Sequence, residues 1–262
     1  MDKIKKFEQY LILQGLKPQP YLDSMVSILK NVKVLNQDTI NDYFLNFNKK
    51  IETYNMHIKA LKKWKECFGI DIVLPKYRKR ENLLPKYLDE KYFREEILKK
   101  IGVIFNKKKT IKVRALLLFM FYTGIRKSEI INLKRKDIFL LDKKAIITEI
   151  KTKKQRVVFF TDEVAEALIT YFETEEEKLN AFNLTKQRIN YIFRLLKQNF
   201  GDKRDSIFAH AFRHSFAVNA IRKNVPLSVV KKLLGHSNIK TTMRYVQVDD
   251  KALEEIYREH IK

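Results

Sequence analysis

The sequence predicts a mainly α-helical protein in two parts. A small N-terminal helical bundle precedes a larger mixed α/β part, mostly helical, with a small three-stranded antiparallel sheet. Three observations lead there. Apolar residues recur at helical spacing through the first ~70 residues; one central stretch switches to short β-branched and aromatic runs; and a basic, proline-bounded segment separates two periodic regions.

The elements follow in order. "DKIKKFEQYLILQG" is periodic and stops at Gly15. "YLDSMVSILKNVK" follows Pro18 and Pro20, and "DTINDYFLNFNKK" opens on Asp38 at a capping position. "TYNMHIKALKKWKECFG" ends at Gly69 with lysines in its last turns, where the negative end of a helix dipole prefers them. These four helices make a bundle over residues 1–74. Residues 75–87 read as a basic linker, because Pro75 and Pro85 disfavour a continuous helix and bracket Lys76, Arg78, Lys79 and Arg80. From residue 88 the patterns "LDEKYFREEILKKI", "TIKVRALLLFMFYTG" and "RKSEIINL" are helical. "DIFLLDKKAIITEIKTKKQRVVFF" then breaks at "LDKK" and "KTKKQ", which predicts strands near 138–141, 145–150 and 156–160. From "TDEVAEALITYF" onward the pattern is helical.

Composition narrows the chemistry. The 262 residues carry 54 Lys and Arg against 31 Asp and Glu, a net charge of +23, which favours a polyanionic partner, nucleic acid above all. Sixteen basic and eight acidic side chains fall in residues 1–80, so both parts are basic, as two surfaces on one ligand would be. Cys67 is the only cysteine, which excludes disulfides and a cysteine-based metal site within one chain. The five histidines show no zinc-ligand spacing, six glycines include no phosphate-cradling loop, and no metal or cofactor is expected. The N-terminus does not read as a signal peptide and no stretch approaches a membrane span, so a soluble cytoplasmic protein is expected.

Four pieces of the second part carry chemistry. In "TGIRKSEI", Gly124 ends one helix and Arg126 opens the next, a guanidinium beside free backbone N–H groups and suited to an anion. In "HAFRHSFA", His210 and Arg213 are spaced i, i+3 and share a helix face, with His214 a structural neighbour. In "LLGHSNIKTTMRYVQV", Gly235 terminates a helix, His236 sits in the turn, and Tyr245 lies nine residues further on. In "IKTKKQR", a lysine on a β-turn can reach into a groove. Each signal alone matches ordinary surface residues; their order is the informative feature.

That order, Arg, hairpin Lys, His-x-x-Arg, His, Tyr, resembles the tyrosine recombinase (phage integrase, Xer-like) family. "TGIRKSEIINL" resembles its first arginine box, "HAFRHSFAVNAI" its second, and "LLGHSNIKTTMRYVQV" its nucleophile segment. "IKTKKQRVVFF" resembles its hairpin, with Thr152 where glycine is usual and Lys153 and Lys154 beside the expected lysine. The offset from "RVV" selects Lys151, and Phe212 stands where leucine is usual. The resemblance covers roughly residues 88–250 and implies a catalytic domain over 88–262; residues 1–74 resemble the family's SAM-like core-binding domain in size and pattern only.

The resemblance implies a site-specific DNA recombinase acting as a tetramer on two double-stranded recombination sites, its two domains clamping the duplex, with "KYRKR" on the phosphates. It implies Tyr245 as nucleophile, Arg126, Arg213 and His236 against phosphate charge, His210 as proton acceptor directly or through a network, Lys151 as donor to the leaving 5′ oxygen, and Glu129 as the group orienting Arg126 or His210. It leaves open chromosome dimer resolution or mobile-element integration. Rival readings are a type IB topoisomerase-like enzyme, a telomere-resolvase-like enzyme and a catalytically inactive DNA-binding protein. After Tyr245, Leu253, Ile256, Tyr257 and Ile261 fall on one face at helical spacing, so an amphipathic C-terminal helix is expected, docking on its own domain or, as the resemblance implies, on a neighbouring protomer.

Overall fold

The computed structural model describes residues 2–79, 85–150, 152–176, 178–200 and 204–246. The chain forms two compact units, Met1–Leu83 and Leu84–Lys262. The first contains α1 (Asp2–Leu13), α2 (Gln19–Leu29), α3 (Gln37–Leu45) and α4 (Ile51–Phe68). Each helix buries residues one turn apart: Phe7 with Leu11, Met25 with Ile28, Ile40 with Phe44, and Leu61 with Trp64. Phe7 meets Trp64 edge-on, ring centroids 4.9 Å apart. The cap of α3 is Asn36 rather than Asp38: its side chain accepts from the Thr39 N–H while the Asn36 N–H donates to the Thr39 hydroxyl. Gly69 ends α4 at φ +64°, in the left-handed region that favours glycine. His57 is buried, its Nδ1 2.7 Å from the Tyr43 hydroxyl, which gives that histidine a structural role.

The basic segment after α4 is held to this unit. The Asn55 side chain bonds both the N–H and the carbonyl of Arg78, each at 2.9 Å, and the Arg78 guanidinium lies 3.9 Å from the centre of the Tyr54 ring. Lys76, Arg78 and Lys79 are exposed; Arg80 lies outside the described residues.

In the second unit, α5 (Glu90–Tyr92), a π-helical stretch (Phe93–Leu98) and α6 (Lys99–Ile104) run on without a break. The wider turn, which helical periodicity does not announce, buries Phe93, Ile97 and Leu98 together. The centre of the unit is α7 (Lys107–Thr123), buried continuously from Ala115 to Phe121, as a helix with apolar residues all round its C-terminal half must be. It packs against α9 (Asp162–Thr174) and α11 (Ala209–Arg222); α8 (Lys127–Asn132), α10 (Lys186–Asn199), α12 (Leu227–Leu234) and α13 (Ile239–Met243) complete the helices of the described residues that matter to the site. Phe212 of α11 is fully buried, edge-on to Phe93, Phe121 and Phe193 at 5.3–5.9 Å, and Phe93 stacks on Phe121 at 4.0 Å. This aromatic nest accommodates a ring where leucine is usual.

The sheet is antiparallel with order β1-β2-β3: β1 (Ile138–Phe139), β2 (Lys144–Thr148) and β3 (Gln155–Phe159). β1 and β2 are shorter than the sequence suggests and β3 keeps its expected length one residue earlier, with Lys143 at φ 49° in the first turn and Lys153 at φ 58° in the second. Register pairs Ile147 with Arg156 and Ala145 with Val158, so Arg156 shares the inner face with three buried apolar residues. Among the described residues no helix is long and apolar enough to cross a membrane.

Candidate active site

The site is built where α7, α8, α11, α12 and β3 meet. Gly124 ends α7 at φ +60°, where an added Cβ would come within 2.7 Å of Phe216 and 2.9 Å of Leu234. That close approach brings the start of α8 to the end of α12. Gly235 ends α12 at φ +66°, and the His236 N–H closes back on the Lys231 carbonyl at 3.1 Å.

The last carbonyls of a helix have no partner within the helix and carry the negative end of its dipole. Here three successive ones each receive a different arginine. Leu233 O accepts from Arg156 Nε at 2.8 Å, Leu234 O from Arg213 at 2.5 Å, and Gly235 O from Arg126 at 3.2 Å. Arg213 also donates to Gly124 O at 2.8 Å. The buried Glu129 carboxylate ties the group together. It takes two 2.8 Å bonds from the Arg156 guanidinium, a 2.9 Å bond from Arg126 Nη1 and a 2.7 Å bond from the Arg126 backbone N–H. Burial alone would raise the pKa of Glu129; the hydrogen bonds and charge of Arg156, with those of Arg126, override it and hold the carboxyl at about 2.

Tyr245 follows α13 and is only 4 % exposed. Its hydroxyl lies 2.9 Å from Nδ1 of His214, and its ring stacks near His236 at 6.3 Å. Burial raises its pKa, opposed by Arg213, Arg244 and Arg126, so the resting phenol is protonated. His236 bonds the buried Thr242 hydroxyl through Nδ1 at 2.9 Å. Burial, then the positive charges of Arg213, Arg126 and Arg156, push His236 down to about 4; burial, His210, Arg213 and Arg244 do the same to His214. His210, at the surface of α11 with its ring 6.3 Å from that of His214, is lowered by partial burial and by Arg213, Lys127 and Arg126. Arg213 is pushed down to about 9 by burial and by Arg126, and stays charged at neutral pH.

The fold therefore gathers Arg126, Glu129, Arg213, His236 and Tyr245 around one helix end, with His210 and His214 on the adjoining face of α11. Lys151, which falls between β2 and β3 in the sequence, lies outside the described residues; beside those strands the Glu149 N–H donates to Lys154 O at 2.8 Å. Among the described residues no group of three His, Cys, Asp or Glu side chains is gathered to hold a metal ion.

Residues 91–252 match the phage integrase family. The chain belongs to that family, the tyrosine recombinases. It is 33% identical over 182 residues to a tyrosine recombinase of Thermosipho africanus, covering 67% of this chain and 61% of that one. It is 27% identical over 270 residues to the XerA recombinase of Thermococcus onnurineus, covering 94% of this chain and 91% of that one. The same fold occurs in the Tn1549 transposon integrase in complex with circular intermediate DNA (TM-score 0.72, 17% identity, 98% and 99% of the two chains). It also occurs in XerH bound to its palindromic difH substrate after cleavage (TM-score 0.69, 19% identity, 91% and 78% covered). The chain is a tyrosine-type site-specific recombinase.

Arg156 was not singled out by the recombinase pattern, although a signal exists. It sits two residues before the buried Val158, so it occupies the inner face of a strand, and a charge there requires a buried counter-charge. His214 reads from the sequence as a structural neighbour of Arg213, and nothing in the sequence spacing pairs it with Tyr245.

The Glu129 pKa has a consequence for stability. A carboxyl held below its unfolded value of about 4.3 stabilises the fold above that value and loses the contribution as pH falls toward about 2. The difference corresponds to about 3 kcal/mol. Urea unfolding followed by far-UV circular dichroism should show wild type losing about that much between roughly pH 5 and 2, beyond what Glu129→Gln loses over the same range; equal slopes would remove Glu129 as the source.

Proposed function

We propose that this recombinase cleaves and rejoins DNA at specific sites through a covalent 3′-phosphotyrosyl bond to Tyr245, exchanging strands by way of a Holliday junction. The observation that carries the reading is the convergence of two further arginines and Tyr245 on the structure that Glu129 and the end of α12 hold in place. A DNA phosphodiester resists attack because its oxygens repel nucleophiles. Arg126 and Arg213, with His236, neutralise the charge that grows on the nonbridging oxygens as phosphorus becomes five-coordinate. A guanidinium has five N–H donors, and the anchoring bonds named above occupy two of those of Arg213, leaving donors for phosphate. Their fixed positions spare the reorganisation that water would need.

Tyr245 attacks phosphorus, and Lys151 gives the departing 5′ oxygen its proton. His210 belongs to the path that carries the tyrosine proton away. The phosphotyrosyl bond conserves the energy of the broken one, so a 5′ hydroxyl from a second duplex reverses the attack without ATP. Lys76, Arg78, Lys79 and Arg80 contact backbone phosphates, with Arg78 held by Asn55 and Tyr54.

The substrate can be obtained from the protein itself, by capturing covalent adducts from a pool of nicked duplexes with a randomised core and sequencing them. Tyr245→Phe should bind the selected duplex with unchanged affinity and form no adduct. Wild-type adduct yield in that variant would sink the reading, and failure of wild type to form any adduct would favour a DNA-binding protein without activity. Relaxation of plasmids lacking the selected sequence would favour a topoisomerase-like enzyme, and hairpin-ended products from one site a telomere-resolvase-like one.

Lys151→Ala should slow adduct formation on ordinary DNA by about 100-fold or more, the usual scale of general acid catalysis. A 5′-bridging sulfur in the selected duplex, whose thiolate leaves unprotonated, should restore the rate. Restoration instead in Lys153→Ala or Lys154→Ala would move the role along the hairpin.

We also infer assembly as a tetramer on paired sites, for chromosome dimer resolution or mobile-element movement, with residues 251–262 of one protomer received by its neighbour. An apolar cavity of about 250 Å³, lined by Phe121, Tyr122, Val158, Phe216, Val225 and Leu233, offers the chemistry that Leu253, Ile256, Tyr257 and Ile261 need. Deleting residues 251–262 should leave single-site binding intact and abolish cooperative binding to paired sites in gel-shift titrations. Unchanged cooperativity would overturn the exchange.

A further inference from the structure

We propose that His214 is a catalytic residue: its Nδ1 takes the proton of Tyr245 as the phenol attacks phosphorus, and returns it when the phosphotyrosyl bond is reversed. The proposal rests on the reading of Tyr245 as nucleophile and adds the group that touches its reacting atom.

The geometry carries it. The phenol of Tyr245 is buried, and its oxygen makes a 2.9 Å contact with His214 Nδ1. With the imidazole proton on Nε2, Nδ1 is an acceptor aligned on the hydroxyl that must lose its hydrogen. The two rings lie 5.5 Å apart at 49°, packed rather than loosely adjacent. His214 is fixed from behind by α11, whose next residue, Ser215, is fully buried and donates to Ala211 O at 2.8 Å while accepting from the Leu88 N–H at 2.7 Å. His210, the other imidazole of the helix, stands behind His214 at a ring separation of 6.3 Å, as the outer member of the proton path.

The surrounding charge explains why the pair is silent at rest. His210, Arg213 and Arg244 face His214, and burial together with their charge keeps it neutral, so it can accept a proton. The same burial keeps Tyr245 protonated. A bound phosphate brings negative charge against Arg126 and Arg213. That offsets the repulsion an imidazolium would meet there and raises the basicity of His214 when the substrate is in place. The step balances: the Tyr245 Oη–P bond forms, the P–O5′ bond breaks, the phenol proton moves to His214 Nδ1, and the 5′ oxygen is protonated by Lys151. On reversal the 5′ hydroxyl attacks, its proton returns to Lys151, and His214 gives its proton back to the tyrosine oxygen.

The test is single-turnover adduct formation by the full chain on the duplex selected by wild-type covalent capture, with His214→Ala and His214→Gln. Both should bind that duplex as wild type does and form adduct about 100-fold more slowly, the scale expected for a lost general base. Added imidazole should restore His214→Ala, and more basic substituted imidazoles should restore it further. Glutamine keeps a hydrogen-bonding side chain with no basicity, so it separates proton transfer from mere support and guards against an alanine variant that fails to fold. A wild-type or faster rate in His214→Gln would overturn the proposal, the faster rate marking His214 as a restraint on the tyrosine. Absence of any Tyr245 adduct in wild type is a different result and would overturn the nucleophile reading instead.

Discussion

The arrangement of this site depends on one interaction, the capture of three guanidinium groups by the carboxyl end of a two-turn helix. Arg156, Arg213 and Arg126 would repel one another in any apolar setting. The carbonyls of Leu233, Leu234 and Gly235 supply aligned partial negative charge, and Glu129 adds a full one at the centre. Breaking a buried ion pair of this kind typically costs about 3–5 kcal/mol, because the surviving partner is left uncompensated. Glu129 thus locks both Arg156 and Arg126, while Arg213 is held by the backbone carbonyls of Gly124 and Leu234.

The two left-handed glycines make that capture possible. Gly124 lets α7 pass against Phe216 and Leu234, and Gly235 ends α12 so that its carbonyls point at the arginines rather than continuing a helix. Burial and the excess positive charge together set the protonation of the groups nearby. Both keep His214 and His236 neutral, the arginines keep Glu129 ionised against burial, and burial keeps the phenol of Tyr245 protonated against the arginines. Such a site is poised for an anion and idle without one.

The sequence made the helix ends legible because Gly15, Gly69, Gly124 and Gly235 are local signals, and all four adopt positive φ. It made the three strands legible through their β-branched runs, but not the ends of β1 and β2, where Lys143 and Lys153 take left-handed turns. The π-helical stretch at Phe93–Leu98 and the Asn36 cap are not legible in the sequence, the first because its apolar spacing passes for α-helix, the second because Asp38 offers a competing cap. At the site, Arg126, Arg213, His236 and Tyr245 were visible through their order along the chain. Arg156 and the His214–Tyr245 contact were not, since both arise from register and packing between elements distant in sequence. Arg156 meets Glu129 only because β3 pairs with β2 in the observed register, and His214 meets Tyr245 only because the turn after α13 packs the phenol against α11.

Holding arginines by main-chain carbonyls has an evolutionary corollary. A carbonyl is present whatever side chain follows, so substitutions at positions 233 and 234 that keep the packing leave the acceptors in place. Chain length is another matter. Each residue of an α-helix turns the chain by about 100°, so one inserted or deleted residue within α12 would swing all three acceptors away from the guanidinium groups at once. In this part of the molecule, descent can rewrite letters far more freely than it can change their number.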